Sequence, residues 1–286
     1  MLADGSLLVR APAKLNLSLR IKGIREDGYH ELDSIVAKVS LYDDLVLTRQ
    51  AGGLELVCDC PSAGPADKNL ALRAARGLQE HAGKGAGARI ELRKRIAVGA
   101  GLGGGSSDAA AVLTGLNQLW GTGLSRQDLS LLGLQLGSDV PLFLAGPASR
   151  MRGCGELLTP VSLRPFWAIL VCPPVHCSTA EVYAAYDAAG GQSAEPIDPA
   201  WLSQRPVEEW PAFLENDLYR PACQVCPSIL GWAERLGQSV GANVLMTGSG
   251  SASFAIMPDF TTAQNSHKSL PNELKNHAHV VKLNDW

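Results

Sequence analysis

The sequence predicts a mixed protein of helices and strands arranged as two lobes, and three observations carry that prediction. Short segments alternate apolar and polar residues at a period of two, the mark of strands with one face turned inward. Between them lie segments whose apolar residues recur at helical spacing. The length of 286 residues also exceeds what one small core needs, taking roughly 150 residues per domain. The second lobe is expected to begin near Pro160, dividing the chain into 1–159 and 160–286.

In chain order, Leu15, Leu17, Leu19 and Ile21 alternate with Asn16, Ser18, Arg20 and Lys22. This predicts a half-buried strand with Lys14 and Asn16 together on the face opposite the apolar one. Leu45–Thr48 and Leu54–Cys60, separated by Gly52-Gly53, read as a hairpin. Asn69 to His81 reads as a helix and Ala88–Ile96 as a strand with Ile90 and Leu92 inward. A glycine-rich run through Ser107 leads into a helix with Ala109, Val112, Leu113, Leu116 and Trp120 on one face. In the second lobe, Phe166–Val171 is a buried strand ended by Pro173-Pro174, and Ala180–Ala189 is a helix ended by Gly190-Gly191. The segment Gly191–Pro211 is loop-rich and Ala212–Leu236 mainly helical. Val244–Thr247 and Ala252–Met257 flank Gly248-Ser249-Gly250 as a hairpin. Beyond Phe260 the chain is polar and weakly patterned, and no element is predicted there.

Composition narrows the function classes. Hydrophobic residues at 46% and charged residues at 19% describe an ordinary core with a solvated surface and exclude a largely disordered chain. A net charge of −3, with Arg89, Arg93, Lys94 and Arg95 as a merely local basic cluster, gives no stripe for nucleic acid. No apolar run approaches the ~18 residues that span a bilayer, so no membrane partner is expected. Met1 to Arg10 lacks the apolar core of a secretion signal. Seven scattered cysteines suit reduced thiols in a cytoplasm. Cys223 and Cys226 form a C-x-x-C pair without the further ligands a structural zinc needs, and read as two helix-flanking thiols.

The glycine-rich run carries the strongest chemical signal. Glycines let backbone approach a ligand closely and adopt positive φ. At a helix start, such a loop offers unpaired N–H groups and the positive end of the helix dipole to an anion. Ser106 and Ser107 add hydroxyls suited to a phosphate oxygen or a magnesium ion. No lysine follows the glycines, so this is not a Walker loop, and no acidic residue ends a following strand as a dinucleotide fingerprint requires. Taken alone, Asp139 in Leu136–Pro141 reads as a turn or capping residue and Lys14 as a solvated strand lysine. Beside a phosphate cradle they acquire another meaning. Phosphoryl transfer needs the cradle, a carboxylate near the acceptor hydroxyl and a cation for developing charge.

Pro12-Ala13-Lys14-Leu15-Asn16-Leu17, Gly101–Ala110 and Thr247-Gly248-Ser249-Gly250 resemble the three motifs of the galactokinase, homoserine kinase, mevalonate kinase and phosphomevalonate kinase (GHMP) superfamily. Asp27–Leu32 with its Gly28-Tyr29-His30, together with Gly137–Pro141, Gly155–Pro160 and Asn216-Asp217-Leu218, resembles one branch more closely. That branch phosphorylates a small-molecule substrate, 4-diphosphocytidyl-2-C-methyl-D-erythritol, the cytidine diphosphate ester of methylerythritol in the non-mevalonate isoprenoid route. The likeness runs from about Val9 to Met257.

The resemblance implies an α+β, two-lobed GHMP-kinase fold: an N-terminal nucleotide lobe, a C-terminal substrate lobe and an active site in the cleft. It implies Lys14 and Asp139 as the catalytic pair. Ala97, Val98, Gly99, Ala100, Gly101, Leu102, Gly103, Gly104, Gly105, Ser106 and Ser107 would hold the phosphates of ATP, with Asn69 and Lys94 near the nucleotide. Asn16 would lie near the methylerythritol hydroxyls, Tyr29 and Tyr183 on the faces of the cytosine, His30 at its polar edge and Thr179 nearby. ATP and Mg²⁺ are the expected cofactors, with unassigned metal ligands, and the protein is expected to be a monomer or weak homodimer. Two departures stand out. Ala97 occupies a position where the family usually has proline, and Thr261–Trp286 aligns with nothing in the family pattern. A relative acting on homoserine, mevalonate or a sugar is the nearest competing enzyme. A ligand-binding member without catalysis is the competitor from another class.

Overall fold

The structure is a computed structural model that describes residues 5–83, 85–191 and 194–283. The loop read at 191–211 and both ends of the chain include residues that lie outside the described ones. The first half carries β1 (Leu7–Ile24), β2 (His30–Ala51), β3 (Leu54–Cys58), α1 (Leu70–Ala82), β4 (Ala86–Arg93) and α2 (Gly104–Trp120). There follow α3 (Arg126–Leu136), α4 (Val140–Leu144), β5 (Ala148–Gly153), β6 (Leu157–Pro160) and β7 (Trp167–Val171). The second half carries α5 (Thr179–Ala188), α6 (Pro199–Ser203), α7 (Tyr219–Val225), α8 (Ser228–Val240), β8 (Leu245–Met246) and β9 (Ser253–Met257). It ends on α9 (Phe260–Ser269), α10 (Asn272–Lys275) and β10 (Ala278–Lys282).

These elements form two compact units that interleave along the chain. One takes the chain up to Ala13, Leu41–Val98 and Gly103–Gly146; the other takes Lys14–Ser40, Gly99–Leu102 and the chain from Pro147 onward. Both β1 and β2 therefore pass from one unit into the other.

In the first unit, β4 lies between the later part of β2, to which it is antiparallel, and β3, to which it is parallel. The hairpin expected across Gly52-Gly53 does not form, because β4 occupies the place between its two strands. The entry of β4 explains how. A Cβ at Gly87 would stand 2.1 Å from the Gly52 carbonyl oxygen, so only glycine lets the strand pass against that turn. The inward residues of β2 and β4, Leu45, Leu47, Ile90 and Leu92, form a buried face. Helix α2 reaches this sheet at Gly115, where an added Cβ would stand 2.3 Å from Leu47 Cδ1. Asn69 caps α1, its side chain accepting the Ala71 N–H at 2.9 Å. Ser125 and Asp128 form a capping box at the start of α3.

In the second unit, Leu32–Ala37 of β2 pairs with β5, which pairs in turn with β6. A separate antiparallel sheet has the order β10-β7-β9-β8. Its core joins Ile169, Val171, Ala255 and Met257 to Trp232 and Leu236 of α8, and to Ala263, Leu270 and Leu274 from the end of the chain. The weakly patterned tail is thus structured. β10 pairs with β7 along Ala278↔Val171 to Lys282↔Trp167, and α9 is capped by Asp259. Its few apolar residues are spaced for three short elements, none long enough to show a period of its own.

β1 is also not the half-buried strand expected. Leu15, Leu17, Leu19 and Ile21 are buried, and so are Lys14, Asn16, Ser18 and Arg20. The polar face is covered by long-range partners, with Arg20 Nε the buried atom of it left without one among the described residues. Arg20 lies 2.8 Å from Asp217 and 2.6 Å from Glu215, and Asp217 also accepts the Ile21 N–H at 2.8 Å.

Candidate active site

Three sequence segments far apart in the chain meet in the second unit: Lys14–Asn16, Gly99–Leu102 and the turn at 247–250. The Lys14 N–H donates to the Leu102 carbonyl at 3.0 Å, and the Ala252 N–H to that of Ala100 at 3.1 Å. Thr247 is the knot. Its hydroxyl accepts the Asn16 N–H at 2.9 Å and lies 3.3 Å from both the Gly101 carbonyl and Asn16 Oδ1. Close backbone approach is built into this contact, since a Cβ on Gly101 (φ +79°) would stand 2.3 Å from the Thr247 carbonyl oxygen. The carbonyls on the two sides of the turn, Met246 and Gly248, each accept from the Asn216 amide at 2.8 Å.

The ammonium of Lys14 belongs to this network. It donates to Asn16 Oδ1, and Asn16 Nδ2 donates to Ser34 Oγ at 2.8 Å. Ser34 in turn donates to the Ser18 carbonyl at 2.5 Å, so the orientation of the Asn16 amide is set by partners on both its ends. A Cβ on Gly248 would approach Lys14 Nζ to 3.2 Å. Lys14 is thus a buried, oriented cation, not the solvated strand lysine its isolated sequence context suggests.

In the first unit, the glycine run enters α2 through Gly103, whose left-handed φ of +70° places it as the N-cap. Gly105 and Ser106 lie in the first turn, and Ser107 Oγ is buried with no hydrogen-bond partner among the described residues. Such an orphaned hydroxyl at a helix start fits a group that takes an anion oxygen. Directly behind the turn stands a buried charge cluster. Lys94 Nζ lies 2.5 Å from Asp43 and 2.7 Å from Asp108, with the three side chains 6%, 0% and 2% exposed.

Burial works against the Lys94 charge, but the two carboxylates outweigh it and hold the ammonium above its ordinary range. Desolvation pushes the Asp108 carboxyl up to about 7, with Lys94 opposing and Asp43 adding to the rise. Asp43 also accepts the N–H groups of Arg95 at 2.5 Å and Ile96 at 2.8 Å. The chain entering the loop is therefore held from Lys94 to Ile96 by one carboxylate, immediately before Ala97. A Cβ at Gly104 would meet Ile96 Cγ2 at 3.0 Å and Lys94 Nζ at 3.2 Å, so the loop packs closely on this cluster.

Asp139 precedes α4, whose five residues are all buried. Its side chain makes no capping hydrogen bond, and it lies in a turn closed by the Val140 N–H on the Gly137 carbonyl at 3.1 Å, so it is the turn residue its isolated context suggests and not a side-chain cap. Asn69 spends its side-chain oxygen on the cap of α1.

The expected base-binding residues have different surroundings from one another. Tyr29, at the tip of a turn closed by Arg25 N–H to the Tyr29 carbonyl at 2.8 Å, is 66% exposed. His30 packs its ring on Tyr183 at 4.6 Å between centroids with a 40° tilt, and edge-on to Tyr186 at 6.2 Å. Thr179, the first residue of α5, shares a hydrogen bond of 2.8 Å with the Ser249 hydroxyl. Cys226 flanks α7 at its C-terminal end as expected, whereas Cys223 lies within the helix.

Several residues of consequence carry no signal in the sequence. Asp43, Ser34 and Asp187 act through partners 18 to 157 positions away, and no local spacing announces such pairs; Asp108 lies inside the Gly101–Ala110 motif, which does not announce its pairing with Lys94. Asn216 was legible only as part of a motif, without its role as a brace for the 247–250 turn.

Comparison with known proteins agrees with this architecture. A family model described as the GHMP kinases N terminal domain matches residues 69–147. The chain is 39% identical over 275 residues to a 4-diphosphocytidyl-2-C-methyl-D-erythritol kinase of Nitrosospira multiformis, covering 96% of this chain and 90% of the relative. It is 50% identical over 183 residues to a protein of the same name from Methylococcus capsulatus, 64% of this chain and 62% of that relative. A crystal structure of 4-(cytidine 5'-diphospho)-2C-methyl-D-erythritol kinase is similar with a TM-score of 0.82 at 37% identity, over 98% of this chain and 100% of that one.

Proposed function

The chain belongs to the 4-diphosphocytidyl-2-C-methyl-D-erythritol kinases, a branch of the GHMP kinases, and from that premise we propose how its residues act. The protein transfers the γ-phosphoryl group of ATP to the 2-hydroxyl of 4-diphosphocytidyl-2-C-methyl-D-erythritol, giving ADP and the 2-phosphate. The observation that carries this reading is the knot of the three motif segments at Thr247. It fixes the Lys14 backbone N–H on the Leu102 carbonyl of the glycine run, while Asn16 and Ser34 hold the orientation of the ammonium.

In this proposal the loop from Ala97 to Ser107 takes the phosphates of ATP on its backbone N–H groups at the start of α2. The unpartnered Ser107 hydroxyl supports that assignment. Asn69 and Lys94 serve the nucleotide through the geometry of the loop. Lys94 is already neutralised by two carboxylates, so it shapes the cradle and does not add net charge to it. Asp139 accepts the 2-hydroxyl proton as it attacks phosphorus, and Lys14 stabilises charge on the transferring phosphoryl group. Asn16 orients Lys14 and faces the methylerythritol hydroxyls. Magnesium, when bound with the triphosphate, would supply positive charge against the charge that develops there, and the Ser106 and Ser107 hydroxyls at the start of α2 are the groups suited to it. Tyr29 and Tyr183 take the faces of the cytosine, His30 its polar edge, and Thr179 lies nearby.

The division into an ATP-binding 1–159 and a C-terminal 160–286 belongs to the same proposal, as does a monomer or weak homodimer. A cytoplasmic setting is supported by the seven cysteines, all free thiols. Among the described residues no helix is long and apolar enough to cross a membrane. Phosphorus NMR of the product tests the reaction. One new phosphomonoester per ADP, with the diphosphate signals of the substrate retained, is the expected result. A shifted or cleaved diphosphate would refute it.

A further inference from the structure

His30 opens β2 with its ring against α5, and one face of that helix meets it twice. Tyr183 supplies the stacked ring, and Asp187, one helical turn later, places its carboxylate oxygen 2.7 Å from His30 Nε2. The His30 side chain is 13% exposed and that of Asp187 40%, so the pair sits at the margin of the solvent with the ring largely enclosed. An ionised carboxylate only accepts hydrogen bonds, so Nε2 carries a proton and donates it. Nδ1 is then the ring nitrogen left to meet a ligand.

We propose that Asp187 is a positioning residue that makes His30 a selective reader of cytosine. This rests on the reading above, in which His30 faces the edge of the base. The physical argument concerns ambiguity. Cytosine presents an amino donor at position 4 and an acceptor at N3; uracil presents the reverse, an acceptor at O4 and a donor at N3. An imidazole free to exchange tautomers, or to turn over, finds a partner on either edge. A ring whose Nε2 is committed to a carboxylate, and whose plane is held by Tyr183 and Tyr186, keeps Nδ1 in one state at one position. A base held by its faces at that position then either matches or leaves a polar group unpaired. Sites built on such hydrogen bonds reject mismatches strongly.

The same logic is used where a carboxylate behind a histidine sets which ring nitrogen faces a reacting group. Here it sets recognition and not proton transfer, so the effect falls on the binding of one substrate. Losing Asp187 therefore raises KM for the cytidine ester without lowering kcat at saturation. A charge-assisted hydrogen bond of this kind is worth about tenfold in discrimination.

The test measures kcat/KM for the cytidine diphosphate ester of methylerythritol and for its uridine counterpart. The proteins are the wild type, His30→Ala, Asp187→Ala, Asp187→Asn and Asp187→Glu. Asp187→Ala and Asp187→Asn are expected to lower the cytidine-to-uridine ratio about tenfold with KM for ATP unchanged, and Asp187→Glu to recover most of it. Nitrogen-15 chemical shifts of the His30 ring should show one fixed form in the wild type and a tautomer average in Asp187→Ala, a change that a merely structural role would not produce. If His30→Ala abolishes the preference while both neutral variants keep it, the role of Asp187 is overturned and the reading of His30 stands. If His30→Ala keeps the wild-type ratio, the base-edge reading itself fails and this inference falls with it.

Discussion

Replacing Lys94 with methionine keeps most of the side chain's length and removes its charge. Two carboxylates that shared the ammonium at 2.5 and 2.7 Å then face a site closed to water. Breaking a buried ionic cluster in this way costs about 3–5 kcal/mol, because the remaining charge keeps its desolvation penalty and loses its partner. Two features of the structure place the loss near the lower end, about 3 kcal/mol. Asp43 retains the N–H donors of Arg95 and Ile96, and Asp108, pushed up to about 7 by burial even with Lys94 present, can take a proton. That second feature gives the prediction a sign in pH. A carboxyl whose folded pKa lies above its ordinary value binds its proton more tightly when folded, so stability falls as pH rises from about 4 toward 7 and levels off beyond. Removing Lys94 raises the folded value further and carries the fall to higher pH. Urea unfolding followed by circular dichroism should therefore show a deficit of about 3 kcal/mol at pH 8 that shrinks at pH 5.5. Adding Asp108→Leu should restore part of the loss at pH 8, since it removes the uncompensated charge. A deficit below about 1 kcal/mol at pH 8, typical of exposed pairs, would refute the account of a buried cluster that needs its cation. So would one that does not vary with pH.

Asp139→Asn is predicted to cut turnover by ~10²–10⁴-fold while a non-hydrolysable ATP analogue still binds, with a smaller loss if the transfer is loose; near-normal turnover would remove its role as base. Lys14→Met should lower kcat more than it weakens either substrate, and Lys14→Arg should not rescue fully, because a planar guanidinium cannot occupy the place of an ammonium held by Asn16. An unchanged kcat with raised KM would make Lys14 a binding residue. Gly103→Val should abolish calorimetric binding of the ATP analogue and cost about 1–2 kcal/mol of stability, since valine resists the left-handed φ of +70°. Gly105→Ala, whose Cβ meets nothing closer than Leu70 Cδ1 at 3.7 Å, should keep the melting temperature and still lose affinity about tenfold. Unchanged affinity in both would move the phosphates elsewhere. Tyr29→Ala and Tyr183→Leu should each raise KM for the cytidylyl substrate roughly 5- to 150-fold, as for a lost base stack, with KM for ATP nearly unchanged.

What the sequence made legible was local. The helix starting at Asn69, the glycine run opening α2, and the turn at 248–250 between β8 and β9 all follow from spacing and turn chemistry within a dozen residues. What it concealed was pairing at a distance. Gly52-Gly53 looks the same whether the strands on its two sides join each other or admit β4 between them, and the missing Cβ of Gly87 is what leaves room for β4 against that turn. The alternation through Leu15–Ile21 located a strand correctly but could not say that Asp217 and Thr247 cover its polar face. Lys14 and Asp139 read as ordinary residues until the glycine run gave them a reason. Asp43 and Asp187 offered none, because their partners stand 51 and 157 positions away.

The central claim is that this chain is a kinase selective for a cytidylyl substrate, and a coupled ADP-release assay across acceptors tests it most directly. With ATP and magnesium, the protein should release ADP with 4-diphosphocytidyl-2-C-methyl-D-erythritol at a kcat/KM in the ordinary enzymic range of 10⁴–10⁸ M⁻¹s⁻¹, or about that. Homoserine, mevalonate and galactose should give turnover lower by orders of magnitude. Comparable ADP release with any of those three, or none with the cytidylyl ester, would contradict the account.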